Sequence, residues 1–303
     1  MTDDYIWQQI AALLSRAAER VILVAPFIKK EIFQAALDVI PASVSEIRCI
    51  TRWSVAEIAA GVSDPEIADL AAGDGRASIL LCHSLHAKAY ISDDRCLVGS
   101  ANLTGKATGL QPSPNLEILL EVPSDHPEVL RLIRAAEASS VPGTPELARI
   151  MREQANSLLA DEDGPRLIMP SEATQPIYWM PETRRPSRLY GVYSGRHVDI
   201  GDDVLAGVLR DLTVLDIPPG LDEQTFRREV LTRLKALPHI HRLYIDGNLN
   251  LGDLQRTLES SGEYTSTQAQ RSTETIAEWL RYFDDVYVVP IGSWEIRRGK
   301  EIV

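Results

Sequence analysis

The stretch Leu85–Asn102, LHAKAYISDDRCLVGSAN, decides the reading of this chain. Between Leu85 and Ser92 its polar and apolar residues alternate with a period of two. In a strand His86, Lys88, Tyr90 and Ser92 therefore point to one face, and Ala87, Ala89 and Ile91 to the other. Asp93, Asp94 and Arg95 read as a tight turn, and Cys96-Leu97-Val98 as a short returning strand. Gly99-Ser100-Ala101-Asn102 reads as a loop that brings Ser100 and Asn102 back beside the first strand. An imidazole, an ammonium, a hydroxyl and an amide then surround one small space, a set suited to an anion.

Working outward, the N-terminal side reads as alternating helices and strands. Ile6, Ile10, Leu13, Leu14 and Ala17 have the spacing of a helix with one buried face over 4–19. Arg20 to Phe27 is a nearly continuous apolar run, as expected for a strand covered on both sides. Lys30–Val39 reads as a helix and Glu46–Trp53 as the next strand, an order that predicts neighbouring parallel strands. Val55–Ala60 and Pro65–Ala72 read as short helices around the Gly61-Val-Ser-Asp64 turn, and Ser78–Cys82 as a strand leading into the central stretch. Asn115–Val122 is expected to close the sheet, and Pro127–Ser139 and Pro145–Leu159 to be helices. The polar run Ala160–Pro165 marks the expected boundary between a first domain, 1–165, and a second, 166–303. In the second domain, Arg188–Tyr193, Leu212–Ile217, His241–Ile245 and Val286–Pro290 read as strands. Asp222–Leu237, with Phe226, Val230, Leu231 and Leu234 inward, and Thr267–Phe283 read as helices. The expected class is α/β throughout, with a mixed, mostly parallel sheet flanked by helices in the first domain and a second α/β domain of unassigned type.

Composition bounds the rest. The chain has 303 residues, 45% of them hydrophobic, enough for one large or two ordinary cores. No apolar run approaches the roughly 18 residues of a membrane span, and the N-terminal MTDD lacks the pattern of a signal peptide, so a cytoplasmic protein without membrane partners is expected. The three cysteines, Cys49, Cys82 and Cys96, all fall in or beside apolar runs and read as reduced core thiols. A net charge of −12 argues against a basic coat for nucleic acid or anionic lipid. The charge is uneven: residues 1–165 carry 14 basic against 23 acidic side chains, and 166–303 carry 17 against 20. Arg184, Arg185 and Arg188 form the densest basic cluster of the second half, the place expected to face a polyanion.

His86-x-Lys88, Asp93 after four residues and Gly99-Ser100-x-Asn102 together resemble the HKD signature of the phospholipase D superfamily. The segment between Asp93 and Gly99 is one residue shorter than the usual pattern and reads as a tighter turn. Asn115-Leu116-Glu117 resembles the asparagine-x-glutamate that follows the signature in the superfamily's small bacterial nucleases. With Thr51-Arg52-Trp53, the Gly61–Pro65 turn and the run Gly99–Thr104, residues 20 to 125 resemble signature-domain proteins found with restriction and antiphage systems. His239-x-His241 followed by Asp246 echoes the signature's spacing, with histidine for lysine and no Gly-Ser-x-Asn after it. Residues 166–303 are open between a DNA-recognition or partner domain and a diverged second half of the same type.

The resemblance implies a metal-independent phosphodiesterase without a cofactor. One histidine would form a phosphohistidine, while a second, from another copy of the motif, protonates the leaving oxygen and then activates water. Lys88, Ser100 and Asn102 would hold the phosphoryl oxygens, Glu117 would orient His86, and Asp93 would pin a turn. Arg52, Trp53 and Thr104 are candidate substrate contacts, the first two as a phosphate contact and a base-stacking face. A metal site built from His83, His86, Asp93 and Asp94 is the other chemical reading, but the Lys88 ammonium would repel the cation. His83 has no assigned role; His126 and His197 read as surface residues. One good signature cannot supply both histidines, so the expectation is a homodimer with the two copies of His86 in one cleft, or a two-half monomer using His239 or His241. The substrate expected is DNA, cut by an endonuclease in a restriction or antiphage setting with possible protein partners. A lipid phosphodiesterase, and a non-catalytic scaffold or sensor in a defence complex, are the alternatives.

Overall fold

A computed structural model describes residues 4–160, 179–196, 200–284, 287–288 and 295–298 of the chain. Two compact units divide it, Met1–Leu159 and Ala160–Val303. The expected boundary stretch 161–165 lies outside the described residues.

The first unit runs α1 (Tyr5–Leu14), β1 (Arg20–Val24), α2 (Lys30–Val39), β2 (Glu46–Thr51), α3 (Val55–Ala59), α4 (Ile67–Asp74) and β3 (Ala77–Leu81). It continues with β4 (Lys88–Ser92), β5 (Arg95–Gly99), α5 (Gly105–Thr108), β6 (Leu119–Pro123), α6 (Pro127–Ala138), β7 (Val141–Pro142) and α7 (Pro145–Leu159). The strands form one sheet in the order β6-β5-β4-β1-β2-β3-β7. The sheet is mixed. β1, β2 and β3 are parallel neighbours joined through helices, as the β-α-β order predicts, and the other pairings are antiparallel.

Connection length explains the switch. Only residues 82–87 separate β3 from β4, whereas a parallel crossover needs about a dozen. β4 therefore runs back antiparallel on the free side of β1, with Val24 opposite Ala89. The two-residue turn Asp93-Asp94 then forces β5 antiparallel to β4, with Ser92 opposite Arg95 and Lys88 opposite Gly99. Asp93 takes a left-handed φ of 54°, which aspartate tolerates better than most residues.

Alternation decides which helices cover which face. Tyr90 and Leu97 lie in a core with Ile10 of α1, Phe33 of α2, Ile67 of α4 and Met151 of α7. Ala89, Ile91 and Cys96 lie in a second core with Val129 and Ala136 of α6. The sheet is thus the middle of three layers, and the parity read from the sequence holds along β4. Cys49, Cys82 and Cys96 are free and buried in these cores.

In the second unit helices dominate: α8 (Arg188–Tyr193), α9 (Asp202–Leu215), α10 (Glu223–Ala236), α11 (Pro238–Asp246), α12 (Leu251–Ser260) and α13 (Ser266–Phe283). β8 (Asn248–Asn250), β9 (Tyr287–Val288) and β10 (Glu295–Arg298) form a small antiparallel sheet in the order β8-β10-β9. Both helices read from the sequence are present, and α10 buries Phe226, Val230 and Leu234. Three expected strands are corrected to helix. Arg188–Tyr193 is α8, which buries Leu189 and Val192 at helical spacing and packs its tyrosines against Phe226, with ring centroids 4.6 Å apart for Tyr193 and 5.4 Å for Tyr190. Leu212–Leu215 is the last turn of α9. His241–Ile245 lies in α11, opened by Pro238 in its first turn and closed by a left-handed Gly247. The two histidines of the echo are therefore on a helix, where residues two apart point about 200° apart. No strand brings His239, His241 and Asp246 to one face.

The segment before α8 is held from below. The buried Asp211 carboxylate of α9 accepts the backbone N–H groups of Glu182 and Thr183, and the Trp279 indole of α13 donates to the Thr183 carbonyl at 2.7 Å. Burial pushes Asp211 up to about 7 in spite of these hydrogen bonds. A carboxyl whose folded value is raised stabilises the fold fully below its unfolded value near 3.9 and loses that contribution as the pH rises through about 7. Thermal unfolding followed from about pH 4 to about pH 8 is expected to show falling stability, by up to about 4 kcal/mol from this group, and Asp211→Asn to flatten that slope.

Candidate active site

At one edge of the first unit's sheet, five chain segments end together. Pro26-Phe27 follows β1, Arg52-Trp53 follows β2, His86-Ala87 precedes β4, Ser100–Asn102 follows β5 and Glu117-Ile118 precedes β6. The strand directions put all of these at the carboxyl ends of the parallel strands, where open α/β sheets place ligand sites.

Gly99 makes the closest approach in the group. A Cβ there would lie 1.9 Å from the Ile118 carbonyl oxygen, so only glycine lets the chain before β6 close on the end of β5. Ser100 N–H donates to that carbonyl at 3.0 Å, and Ile118 N–H donates back to Ser100 Oγ at 3.1 Å. The Ser100 hydroxyl donates to Glu117, whose other carboxylate oxygen accepts Asn115 Nδ2 at 3.1 Å. In this arrangement the Ser100 proton is directed at Glu117. Glu117, expected to orient His86, is engaged by Ser100 and Asn115, and the exposed His86 imidazole has no hydrogen bond to any described residue.

Lys88 is half-buried, and its ammonium donates to the His86 carbonyl at 2.8 Å. Burial draws its pKa below the usual lysine range; the Glu117 carboxylate works against that shift and the Arg52 guanidinium adds to it. Asn102 accepts the Phe27 N–H on Oδ1 at 3.4 Å, and the bridge between Ile28 and Leu103 holds the two segments side by side. Its Nδ2 group makes no hydrogen bond among the described residues and remains a donor. Tyr90, fully buried, fixes the loop from beneath by donating to the Ala101 carbonyl at 2.8 Å.

Trp53 does not have the expected base-stacking face. Trp53 is 1% exposed, a core residue with no face for a base. The Arg52 guanidinium is held by the buried Glu57 through two hydrogen bonds, donates to the Leu85 carbonyl at 3.3 Å and lies 5.4 Å from the Phe27 ring. It supplies positive potential to Lys88's surroundings while fixing the chain just before His86. Thr104 is half-buried at the start of α5, and its carbonyl accepts Thr108 N–H at 2.9 Å. Glu57 and Phe27 are the residues that the sequence did not bring to this site. The acid five residues after Arg52 and the Pro26-Phe27 strand end are the signals that would have found them.

Asp93 lies at the far end of β4, roughly 20 Å along the strand from His86. Its carboxylate accepts the N–H groups of Ala18, Glu19 and Arg20 at 2.8, 3.0 and 3.0 Å. The metal reading that grouped Asp93 and Asp94 with His86 fails on this distance. Among the described residues no group of three or more His, Cys, Asp or Glu side chains is placed to hold a metal ion. His83 sits in the turn after β3, and His126 is an exposed N-cap of α6. His197 lies outside the described residues. His239 is half-buried, with its imidazole pushed down by burial to about 4, and His241 is exposed. Arg184 and Arg185 are exposed and Arg188 is half-buried.

No family model matches the chain, and no curated protein matches it. Among solved structures it is similar to NucT from Helicobacter pylori, at TM-score 0.31 and 16% identity over 46% of this chain and 92% of that one. It is similar to Nuc from Salmonella typhimurium, a phospholipase D family member, at TM-score 0.32 and 16% identity over 45% of this chain and 89% of that one. It is also similar to a phosphatidylserine synthase from Haemophilus influenzae Rd KW20, at TM-score 0.38 and 13% identity over 53% and 42%. None of the three reaches a TM-score of 0.5.

Burial opposes the Asp93 charge, but the backbone N–H groups of Arg20, Ala18 and Glu19 outweigh it and hold the carboxyl below its usual range. Such a group contributes stability above its unfolded value, and the contribution is lost as pH falls through the folded one. Asp93→Asn is expected to lower the urea midpoint at pH 7, and the gap between variant and wild type to close as the pH is lowered toward about 3.

Proposed function

We propose that the first unit is a phospholipase D-like phosphodiesterase that works without a metal, through a phosphohistidine on His86, and that its substrate is DNA, cut internally. The observation that carries this reading is the convergence of an uncommitted, exposed imidazole with the Lys88 ammonium and the free amide of Asn102 at one sheet edge. A phosphodiester needs a nucleophile, positive charge on its oxygens and a proton for the leaving alkoxide. His86 attacks phosphorus, the P–O bond to the leaving group breaks, and a second imidazolium gives that oxygen its proton. The second imidazole then takes a proton from water, whose oxygen attacks phosphorus and releases His86. Lys88 and Asn102 hold the non-bridging oxygens throughout.

The second imidazole is assigned to His86 of a second copy. What supports this is the chain entering β6, the edge strand of the sheet. Leu116, Ile118 and Leu120 are 103%, 58% and 59% exposed, a stripe beside Glu117 that alternates with the buried Leu119. An apolar edge of this kind is normally covered. Covering it with the same edge of another copy brings two carboxyl-end sites toward one two-fold axis. The same stripe favours a second reading, a lipid phosphodiesterase whose apolar rim meets a headgroup region. The setting in a restriction or antiphage system, with protein partners, is supported by the sequence resemblance over residues 20 to 125; phage challenge of cells with and without the intact gene tests it.

Purified protein is expected to nick plasmid DNA in the presence of EDTA and to leave phosphatidylcholine vesicles intact; the reverse preference supports the lipid reading, and no turnover of either supports a scaffold or sensor. Lys88→Ala or Asn102→Ala is expected to lower kcat by about 10²–10³ fold, the usual cost of one oxyanion donor. Mixing wild-type with His86→Ala chains separates the assemblies. Activity that falls as the square of the wild-type fraction is the expected result for a shared site, and a linear fall excludes it.

A further inference from the structure

The second unit carries a groove that the chemistry at His86 does not use. Arg184, Arg185 and Pro186 form one side, and Glu278, Arg281 and Tyr282 of α13 form the other, around a volume of about 360 Å³. Three guanidinium groups face one carboxylate there, in a chain whose net charge is −12. We propose that this groove binds the phosphodiester backbone of a nucleic-acid strand.

Two features make it a built site. The segment that carries Arg184 and Arg185 is fixed immediately before them. Asp211 accepts Glu182 and Thr183 N–H at 3.0 and 2.8 Å, and the Trp279 indole donates to the Thr183 carbonyl at 2.7 Å. The opposite wall is fixed as well: Arg227 lies 4.2 Å from the centre of the Tyr282 ring and donates to the Tyr282 carbonyl. Arginines on a rigid frame lose little freedom on binding, and the planar guanidinium fork matches phosphate oxygens.

These arginines are available. Arg185 has no side-chain partner among the described residues. Arg184 reaches Glu274 only at 4.0 Å, and Arg281 pairs with Glu278 at 3.1 Å, both on open surface. Surface pairs of this kind contribute little, so a phosphate can displace them. The volume falls at the lower end of the range for small-ligand clefts, about 300–1,000 Å³, which suits one nucleotide of a strand threaded through the groove. The proposal supplies the substrate class named above with a contact outside the catalytic unit, and it stands independently of the chemistry there.

The test uses the full chain carrying His86→Ala, so that the strand stays intact whatever the first unit does. Binding of a fluorescein-labelled single-stranded DNA 20-mer is followed by anisotropy across salt concentrations. Arg184→Ala with Arg185→Ala is expected to raise Kd about tenfold at low salt and to reduce the log–log salt slope by about 1.4, two contacts at about 0.7 each for a single strand. Arg281→Ala is expected to act in the same direction. The control double variant Arg256→Ala with Arg271→Ala changes net charge equally on exposed positions outside the groove and is expected to leave the slope unchanged. Circular dichroism checks that each variant is folded. Equal weakening by the control reduces the effect to net charge and overturns the proposal, as does an unchanged slope in the groove variants. Phosphatidylglycerol vesicles form a second arm: loss of vesicle binding in the groove variants with DNA binding intact overturns it in favour of a lipid surface.

Discussion

A missing side chain sets the geometry of the sheet edge that carries His86, Lys88 and Asn102. At position 99 any Cβ would fall within 1.9 Å of the Ile118 carbonyl oxygen, so glycine is what allows the chain entering β6 to lie against the end of β5. From that approach follow the paired hydrogen bonds between Ser100 and Ile118, the engagement of Ser100 with Glu117, and the fixed course of the loop to Asn102. Asn102 in turn ties the loop to Phe27 at the end of β1. The ends of β6 and β1 are thereby both tied to the loop that follows β5.

Most polar groups near this edge are already committed to one another. Glu57 holds Arg52, Arg52 holds the Leu85 carbonyl, Ser100 and Asn115 hold Glu117, and Tyr90 holds the Ala101 carbonyl. Buried polar groups without partners are costly, so the surrounding shell satisfies itself. What is left over is the exposed His86 ring, two of the three Lys88 donors and the Asn102 amide N–H₂. A site whose supports are internally paired and whose reactive groups are not is preorganised: a ligand meets donors that need no rearrangement to receive it.

The first unit was largely legible in the sequence because its signals are local. Period-two alternation placed Tyr90 against one core and Ala89 and Ile91 against the other, and the β-α-β order gave the parallel run of β1, β2 and β3. Less legible was anything depending on who meets whom across the sheet. Trp53 beside Arg52 looked like a base platform, yet the strand-end turn sends the indole into the core and leaves only the guanidinium near the surface. The carboxylate partner of Ser100 likewise could not be assigned before the approach at Gly99 was known. In the second unit the strand readings of Arg188–Tyr193 and His241–Ile245 failed because short runs rich in tyrosine, valine and isoleucine suit both periods. Aromatic packing on Phe226 and the Pro238 and Gly247 helix signals decided for helix.

The charge balance constrains how such a protein can engage a polyanion. With a net charge of −12 the surface as a whole repels nucleic acid, but beyond a Debye length of about 8 Å at physiological salt that repulsion is screened. Inside that distance only local charge counts. The first unit presents Lys88 backed by Arg52, with Glu57 absorbing the second cation's charge; the second presents three arginines on a braced frame. Binding under the proposed function therefore depends on short-range contacts at a few defined points and gains almost nothing from steering. Under that proposal a strand is held by a few local contacts and not by the surface as a whole, a selectivity that a uniformly basic surface would forfeit.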